Sequence, residues 1–505
     1  MRSILKHAIM AASRRRRLLL YGGFLLALGV ACLQVTYFSE GYRPLQVLTD
    51  AQSEARRLLK FITLYHYQCN VTMQGLNVTM WPVCLEKAGG LNLVLGGPRV
   101  MFSIGPSGDL SLERTLAVNF SYQVNIFHHQ IVSPEQLGIV GNNTRVYRTI
   151  IVPNDPSDYG RNSYESQTVN NVFDVFKTDV LDVLKVDTLA DMDHSHELIY
   201  YMVKDRLLAN VRQLHFALYI DKVDDDYLYS WYRALYMLFH TAGFRLYHTT
   251  ASDGLCLQVT LMESCVYFLS WTRDPGPDYF ILYPPAIDGS DEFETDRLQD
   301  YMEDVKASCY KNLELSLPSV GSVSICLDKV EAQKHKPCQF IIFRGSGMEG
   351  STTRLPDSRC TVTTLEVSLL SAVPPTFRVY QHSYERTVSD RVYLEDALQK
   401  YMQSTFTNLV LVDMGSHLWS FLTSLLDSGA LYNVDQLMLN IHDLWGGHKA
   451  VETRRSFSEL MRVEAYGFRK YKIGNDKLTF HSEAATNSGN VVINYLKTEA
   501  GRISE

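Results

Sequence analysis

Apolar residues fall along this chain in three patterns: one long uninterrupted run near the start, many short runs, and spaced positions of helical period between them. The long run extends from Leu18 to Phe38 without a charged residue, directly after Arg14, Arg15, Arg16 and Arg17. At a rise of about 1.5 Å per residue, a helix of that length spans a hydrocarbon core. Basic residues before it predict a cytosolic tail over 1–17, a transmembrane signal-anchor over 18–38 and everything later on the lumenal side. The alternative is a signal peptide cut after Gly29-Val30-Ala31. Residues 39–79 read as a stem, with a helix-prone stretch over 50–64.

The short apolar runs come in two sets that follow the same order. Val83-Cys84-Leu85-Glu86-Lys87 is echoed by Ile325-Cys326-Leu327-Asp328-Lys329. Gln213-Leu214 is echoed by Gln436-Leu437, and Gly243-Phe244-Arg245-Leu246-Tyr247 by Gly467-Phe468-Arg469-Lys470-Tyr471. The last two markers lie 30 residues apart in one set and 31 in the other. Helical stretches fill both intervals, Tyr227–Phe239 and Ser456–Tyr466. Val100-Met101-Phe102-Ser103-Ile104-Gly105 registers with Phe340-Ile341-Ile342-Phe343-Arg344-Gly345, a strand ending in glycine. Val183–Asp187 registers with Leu409–Asp413, a strand ending in aspartate. Units this long are tandem domains rather than solenoid repeats. They are expected over 80–273 and 322–497, with a proline-rich linker over 274–321 and a tail over 498–505.

Short apolar strands alternating with helices predict a mostly parallel sheet covered on both faces. Cys256–Leu261 and Cys265–Trp271 read as a terminal antiparallel hairpin in the first copy. The fold class is therefore α/β: two tandem Rossmann-like domains after an N-terminal transmembrane helix.

Composition narrows the setting. The formal net charge of −7 lacks the basic excess of a nucleic-acid binder. Asn70, Asn77, Asn119 and Asn142 each begin an N-glycosylation sequon, which suits a lumenal chain of the secretory pathway such as a Golgi protein. Nine cysteines are present; Cys32 lies in the apolar run, and the even remainder permits disulfides in an oxidising compartment. Oligomeric state is not legible.

The entry segment, the Gly-Phe-Arg-x-Tyr step and the strand ends together resemble the animal methyltransferase-like family that includes methyltransferase-like protein 24, related to FkbM-type methyltransferases. That resemblance implies a class I methyltransferase fold and S-adenosylmethionine as cofactor. The acceptor would be a lumenal glycan or protein. It also exposes departures. The family's acidic turn after the second strand falls on Phe127-His128-His129 in the first copy and on Leu365-Glu366 in the second. Its Asp-x-Glu-Gly element keeps the aspartate, Asp187 or Asp413, and loses the glutamate in both copies. Its Glu-Ile-His becomes Ala217-Leu218-Tyr219 and Asn440-Ile441-His442.

The second copy thus holds the candidate chemistry. Gly345, Gly347 and Gly350 form a GxGxxG after a strand, suited to close backbone approach by a cofactor. Glu366 stands where a ribose diol would be held. Asp413 is a candidate to orient a ligand, and His442 a candidate base because an imidazole titrates near neutrality. Each has a plainer reading: a turn, a helix cap, a packed histidine. In the first copy, Pro106 removes a backbone donor from the glycine loop. Loss of the glutamate in both copies also fits a non-catalytic binding or scaffold protein. Asp224-Asp225-Asp226 raises a third reading, the DxD motif of Golgi glycosyltransferases; acidic residues ahead of a helix serve equally as its cap.

Overall fold

The computed structural model describes residues 42–498 apart from 71, 73–80, 87–98, 106–109, 129–142, 154–165, 177–179, 188–194, 221–223, 253–265, 318–319, 333–334, 346–359, 370–375, 383–390, 403–404, 443–448 and 475–489. The apolar run Leu18–Phe38, Gly347, Gly350, Pro106, Asn77, Asn142 and Cys256–Leu261 lie outside the described residues. Among those described, no helix is long and apolar enough to cross a membrane. The chain divides into two compact units, Met1–Gln46 and Val47–Glu505, and every element named below belongs to the second.

Helix α1 (Ala51–Thr63) is the stem's helix-prone stretch, and it is no free stalk. Asp50 caps it by accepting the Ser53 N–H, and one face buries Ala55, Leu58, Phe61 and Ile62. Buried on the same helix, Arg57 pairs with Glu54 and lies 3.9 Å over the Tyr232 ring. A buried ion pair must be well bonded to offset its desolvation, and this one is held by packing against the first sheet's helices.

The first sheet is built from β1 (Val100–Ile104), β2 (Gln123–His128), β3 (Thr144–Arg148), β6 (Leu181–Val186), β7 (Val211–Tyr219), β8 (Phe244–Ser252) and β9 (Val266–Arg273). Its order is β3-β2-β1-β6-β7-β9-β8, and only β9 runs against its neighbours. Helices α2 (Ser111–Phe120), α3 (Val169–Phe176), α4 (Ser195–Lys204) and α5 (Asp225–His240) connect these strands, and a short parallel pair, β4 (Ile150–Val152) and β5 (Ser166–Thr168), precedes α3. Asp224 caps α5 by accepting the Tyr227 N–H at 2.7 Å, with Asp225 and Asp226 in its first turn. The acidic triplet therefore serves the helix dipole.

Helix α6 (Asp291–Glu303) and strand β10 (Asn312–Leu317) lie within the stretch expected as a linker, and β11 (Gly321–Cys326), antiparallel to β10, begins at its end. After a short helix α7 (Leu327–Ala332) comes the second sheet. It contains β12 (Cys338–Arg344), β13 (Cys360–Leu369), β14 (Thr376–His382), β15 (Arg391–Tyr393), β16 (Thr407–Asp413), β17 (Gln436–Ile441), β18 (Phe468–Gly474) and β19 (Val491–Lys497). Helices α8 (Leu394–Tyr401), α9 (Leu418–Asp427) and α10 (Ala450–Ala465) link its later strands. From β13 onward its order, β13-β12-β16-β17-β19-β18, repeats β2-β1-β6-β7-β9-β8 of the first sheet, with β19 antiparallel in the place of β9. The two differ on the far side: β3 runs parallel to β2, whereas β14 runs antiparallel to β13.

The entry markers repeat in three dimensions. Cys84 is disulfide-bonded to Cys69, and Cys326 to Cys309. Beside each bridge a carboxylate accepts the next backbone N–H, Glu86 from Asn70 at 2.6 Å and Asp328 from Tyr310 at 2.7 Å. A third disulfide, Cys338–Cys360, ties β12 to β13 in the second sheet.

The chain between the sheets is clamped by α10. Arg462 donates to the carbonyls of Pro277 at 2.6 Å and Asp278 at 2.8 Å. Tyr466 donates to the Asp278 carboxylate at 2.9 Å, and the Ser458 hydroxyl accepts the Tyr283 N–H at 3.0 Å. Buried carbonyls and N–H groups that leave water must find such partners.

Candidate functional site

In a doubly wound sheet the ligand-binding edge lies beyond the carboxyl ends of the parallel strands. In the second sheet that edge gathers polar groups. Arg344 ends β12, level with Glu366 on β13 and with Asp413 on β16. Side chains on a strand alternate between faces. Phe340, Ile342, Val362, Leu409, Leu411 and Met438 form one core cluster on one face. Steps of two residues put Arg344, Glu366, Asp413 and Asn440 on that same face.

Asp413 is fully buried. Its Oδ1 accepts from Asn440 Nδ2 at 2.8 Å and lies 2.9 Å from His442 Nε2. Asn440 Nδ2 also lies 3.0 Å from Nε2; in the tautomer whose Nε2 proton the Asp413 carboxylate accepts, Nδ1 of His442 is the nitrogen left with a lone pair. The His442 side chain is 23% exposed, so the ring reaches solvent while the carboxylate behind it does not. The structure thus brings together Asp413 and His442, two residues distant in sequence, and adds Asn440 between them.

Gly345 follows β12, and its N–H donates to the Asp413 carbonyl at 2.9 Å. A Cβ at Gly345 would make ordinary van der Waals contact, at 3.4 Å, with the Met414 carbonyl oxygen after β16. Glu366 is half-buried and forms no hydrogen bond or ion pair among the described residues. It is an acceptor available at the edge.

The first sheet's edge is built differently. Gly105 follows β1 in the left-handed region, φ 62°, and donates to the Phe127 carbonyl. Asp187 is buried after β6, its N–H bonded to the Ile104 carbonyl at 2.9 Å. Counting across the sheets from Gln213 and Gln436, Gly105 takes the place of Arg344, and His128, the residue beyond Phe127 on β2, takes the place of Glu366. Phe127 lies on the opposite face and packs against the rings of Phe102, Tyr147 and Phe176 at centroid distances of 5.6, 5.3 and 5.5 Å. An imidazole stands where the other sheet offers a carboxylate.

Beneath the first sheet sits a buried network that periodicity does not reveal. Lys185 Nζ lies 3.0 Å from Glu113 of α2, which also accepts from Ser103 at 2.5 Å. Burial pushes the nearby His215 imidazole down to about 3, with the Lys185 ammonium adding to the effect. These groups fasten α2 to the sheet from below and do not reach the strand ends.

No protein-family model matches the chain, and no curated protein matches it. Solved structures similar to part of it include methyltransferases. One is a putative methyltransferase from Thermoplasma acidophilum, 11% identical at a TM-score of 0.20, covering 35% of this chain and 69% of that one. Another is an rRNA methylase from Streptococcus thermophilus, 10% identical at 0.21, covering 35% and 88%. A third is the methyltransferase domain of bacterial CtHen1-C, 9% identical at 0.23, covering 35% and 89%. Likenesses this distant carry no argument about activity.

Proposed function

We propose that the protein is a lumenal, S-adenosylmethionine-binding protein of methyltransferase type. In this reading the second sheet carries the site and the first is a structural partner. The observation that carries it is Glu366: a half-buried carboxylate without a partner among the described residues, beside Gly345, at the edge where such sheets take ligands. Two carboxylate oxygens match a ribose diol. Glu366 fits the cofactor; the first sheet, with His128 in that place, offers no carboxylate there. The methyltransferase-like, FkbM-related resemblance of the sequence agrees with this assignment.

When bound, S-adenosylmethionine supplies an electrophilic methyl group. The chain's own part is to align an acceptor hydroxyl and take its proton. His442 is suited to that: Asp413 holds Nε2, and Nδ1 accepts the proton. The Asp413 carboxylate then stabilises the imidazolium. A glycan or protein hydroxyl is the acceptor class that suits a lumenal site. Three disulfides and the exposed sequon residues Asn70 and Asn119 support that compartment. A non-catalytic ligand-binding role is the second reading, favoured by the absence of the family's glutamate after Asp413.

Titration calorimetry of the lumenal region with S-adenosylmethionine tests the proposal. One equivalent bound per chain is expected. Two equivalents would return the first sheet to the site, and no binding at millimolar concentration would end the cofactor reading.

A further inference from the structure

Arg344 is 6% exposed, yet its guanidinium makes no hydrogen bond or ion pair among the described residues, and its Nε is buried without a partner. Among the described residues, the buried guanidinium groups of Arg57, Arg245, Arg297 and Arg462 are bonded, to Glu54, the Phe239 carbonyl, the Pro284 carbonyl and the Pro277 and Asp278 carbonyls; Arg454 makes no hydrogen bond but has the Glu294 carboxylate as a charge partner. An unpaired buried cation is costly, and a fold does not need one at the end of a central strand. Counting across the sheets from Gln213 and Gln436, the equivalent position in the first sheet is Gly105, which has no side chain and no charge. The difference lies at the one edge that also carries Glu366, Asp413, Asn440 and His442.

We propose that Arg344 is a ligand-binding residue that makes this edge selective for a molecule bearing a carboxylate. The inference rests on reading the second sheet's edge as the working site. Guanidinium is planar and pairs with carboxylate through two parallel N–H···O bonds, a geometry that lysine or a backbone amide does not offer. Glu366 and Asp413 flank Arg344 one strand away on either side, so the edge presents alternating charge across three adjacent strands. Such a row receives an anionic group at its centre and repels one at its flanks. The carboxylate has two chemical sources: the amino-acid end of the cofactor, or an acidic acceptor such as a uronic acid.

The test is calorimetry with S-adenosylhomocysteine, with 5′-methylthioadenosine, which lacks the amino-acid end, and with glucuronate in the presence of saturating S-adenosylhomocysteine. The proteins are wild type, Arg344→Gln and Arg344→Lys. If the cofactor supplies the carboxylate, Arg344→Gln weakens S-adenosylhomocysteine about ten- to hundredfold and leaves methylthioadenosine unchanged. If the acceptor supplies it, Arg344→Gln leaves both nucleosides unchanged and abolishes glucuronate binding. In either case Arg344→Lys recovers only part of the affinity. Thermal unfolding of Arg344→Met gives a readout independent of ligand: removing an unpaired buried charge raises the melting temperature, whereas loss of a structural arginine lowers it. Equal affinities in wild type and Arg344→Gln for all three ligands overturn the proposal. If methylthioadenosine and S-adenosylhomocysteine bind neither protein, the cofactor reading fails on its own, and glucuronate with the melting temperature of Arg344→Met decides the role of Arg344.

Discussion

Gln436 holds the backbone of Cys326 through both ends of its side-chain amide, accepting from the Cys326 N–H at 2.9 Å and donating to its carbonyl at 2.7 Å. Gln213 does the same to Cys84, at 3.1 and 2.5 Å. The segment before each sheet is thus stitched to a central strand by one fully buried glutamine. Gln436→Ala leaves a buried donor and a buried acceptor unpaired, each worth about 1–3 kcal/mol. A loss of about 2–4 kcal/mol in unfolding free energy is expected by chemical denaturation. A change below about 0.5 kcal/mol would mean that water replaces the amide at no cost.

The duplicated bridges give a covalent prediction. Peptide mapping without reduction should recover Cys69 joined to Cys84, Cys309 joined to Cys326 and Cys338 joined to Cys360. Protein from secretory cells should also gain gel mobility on glycosidase treatment, through Asn70 and Asn119 at the least, since both are exposed. Free thiols at these six cysteines, or unchanged mobility, would count against an oxidising compartment.

Glu366 lies at the second sheet's edge, at the place His128 takes in the first, whereas the neighbouring Phe127 packs on the opposite face, so substitutions of Glu366 and Phe127 should separate binding from stability. Glu366→Ala is expected to weaken S-adenosylhomocysteine about ten- to hundredfold with little change in melting temperature. Phe127→Ala empties an aromatic cluster and should cost about 3–5 kcal/mol of stability without altering ligand affinity. The reverse pattern in calorimetry would place the site in the first sheet.

Two buried histidines make the protein sensitive to acid. Burial pushes the His215 imidazole down to about 3, and that of His66 well below its usual value, with the Arg245 guanidinium contributing at His66. Between about pH 6.5 and 3 the unfolded chain binds protons that the native state refuses. Stability is therefore complete above about pH 6.5 and falls as pH drops, by about 1.4 kcal/mol per unit for each histidine. Melting temperatures from pH 7.5 to 5 should decline, and replacing His66 and His215 by apolar residues should flatten the decline.

Much of the fold was legible because its signals are local. Apolar runs ending in Gly345 or Asp413 are strands ending at a turn, and the markers around Cys84 and Cys326 recur with their spacing. Asp413 and His442 stood out as strand-end groups in sequence, but their hydrogen bond did not, because contact between adjacent parallel strands depends on register. The antiparallel β14 was equally hidden, since alternation does not encode strand direction. Helix α1 was legible as a helix but not as part of the body, because an amphipathic face does not name its partner. Level pairing keeps His128 as the first sheet's counterpart of Glu366 but moves that of Arg344 from Ile104 to Gly105: matching the glycines by sequence alone misplaces a residue by one, and one residue reverses the face of a strand.

The grip of α10 on residues 277–283 bears on how the two halves are inherited. Arg462, Tyr466 and Ser458 belong to the half with the candidate site, while the carbonyls and the carboxylate they hold belong to the chain leaving the other half. Deleting the first half would strand those side chains, so the gene cannot shed its apparently idle copy without damaging the other. Natural selection acting on the strand ends of one domain consequently preserves the interior of its neighbour. The neighbour's own strand ends are left to drift, and Gly105 and His128 are what such drift would leave.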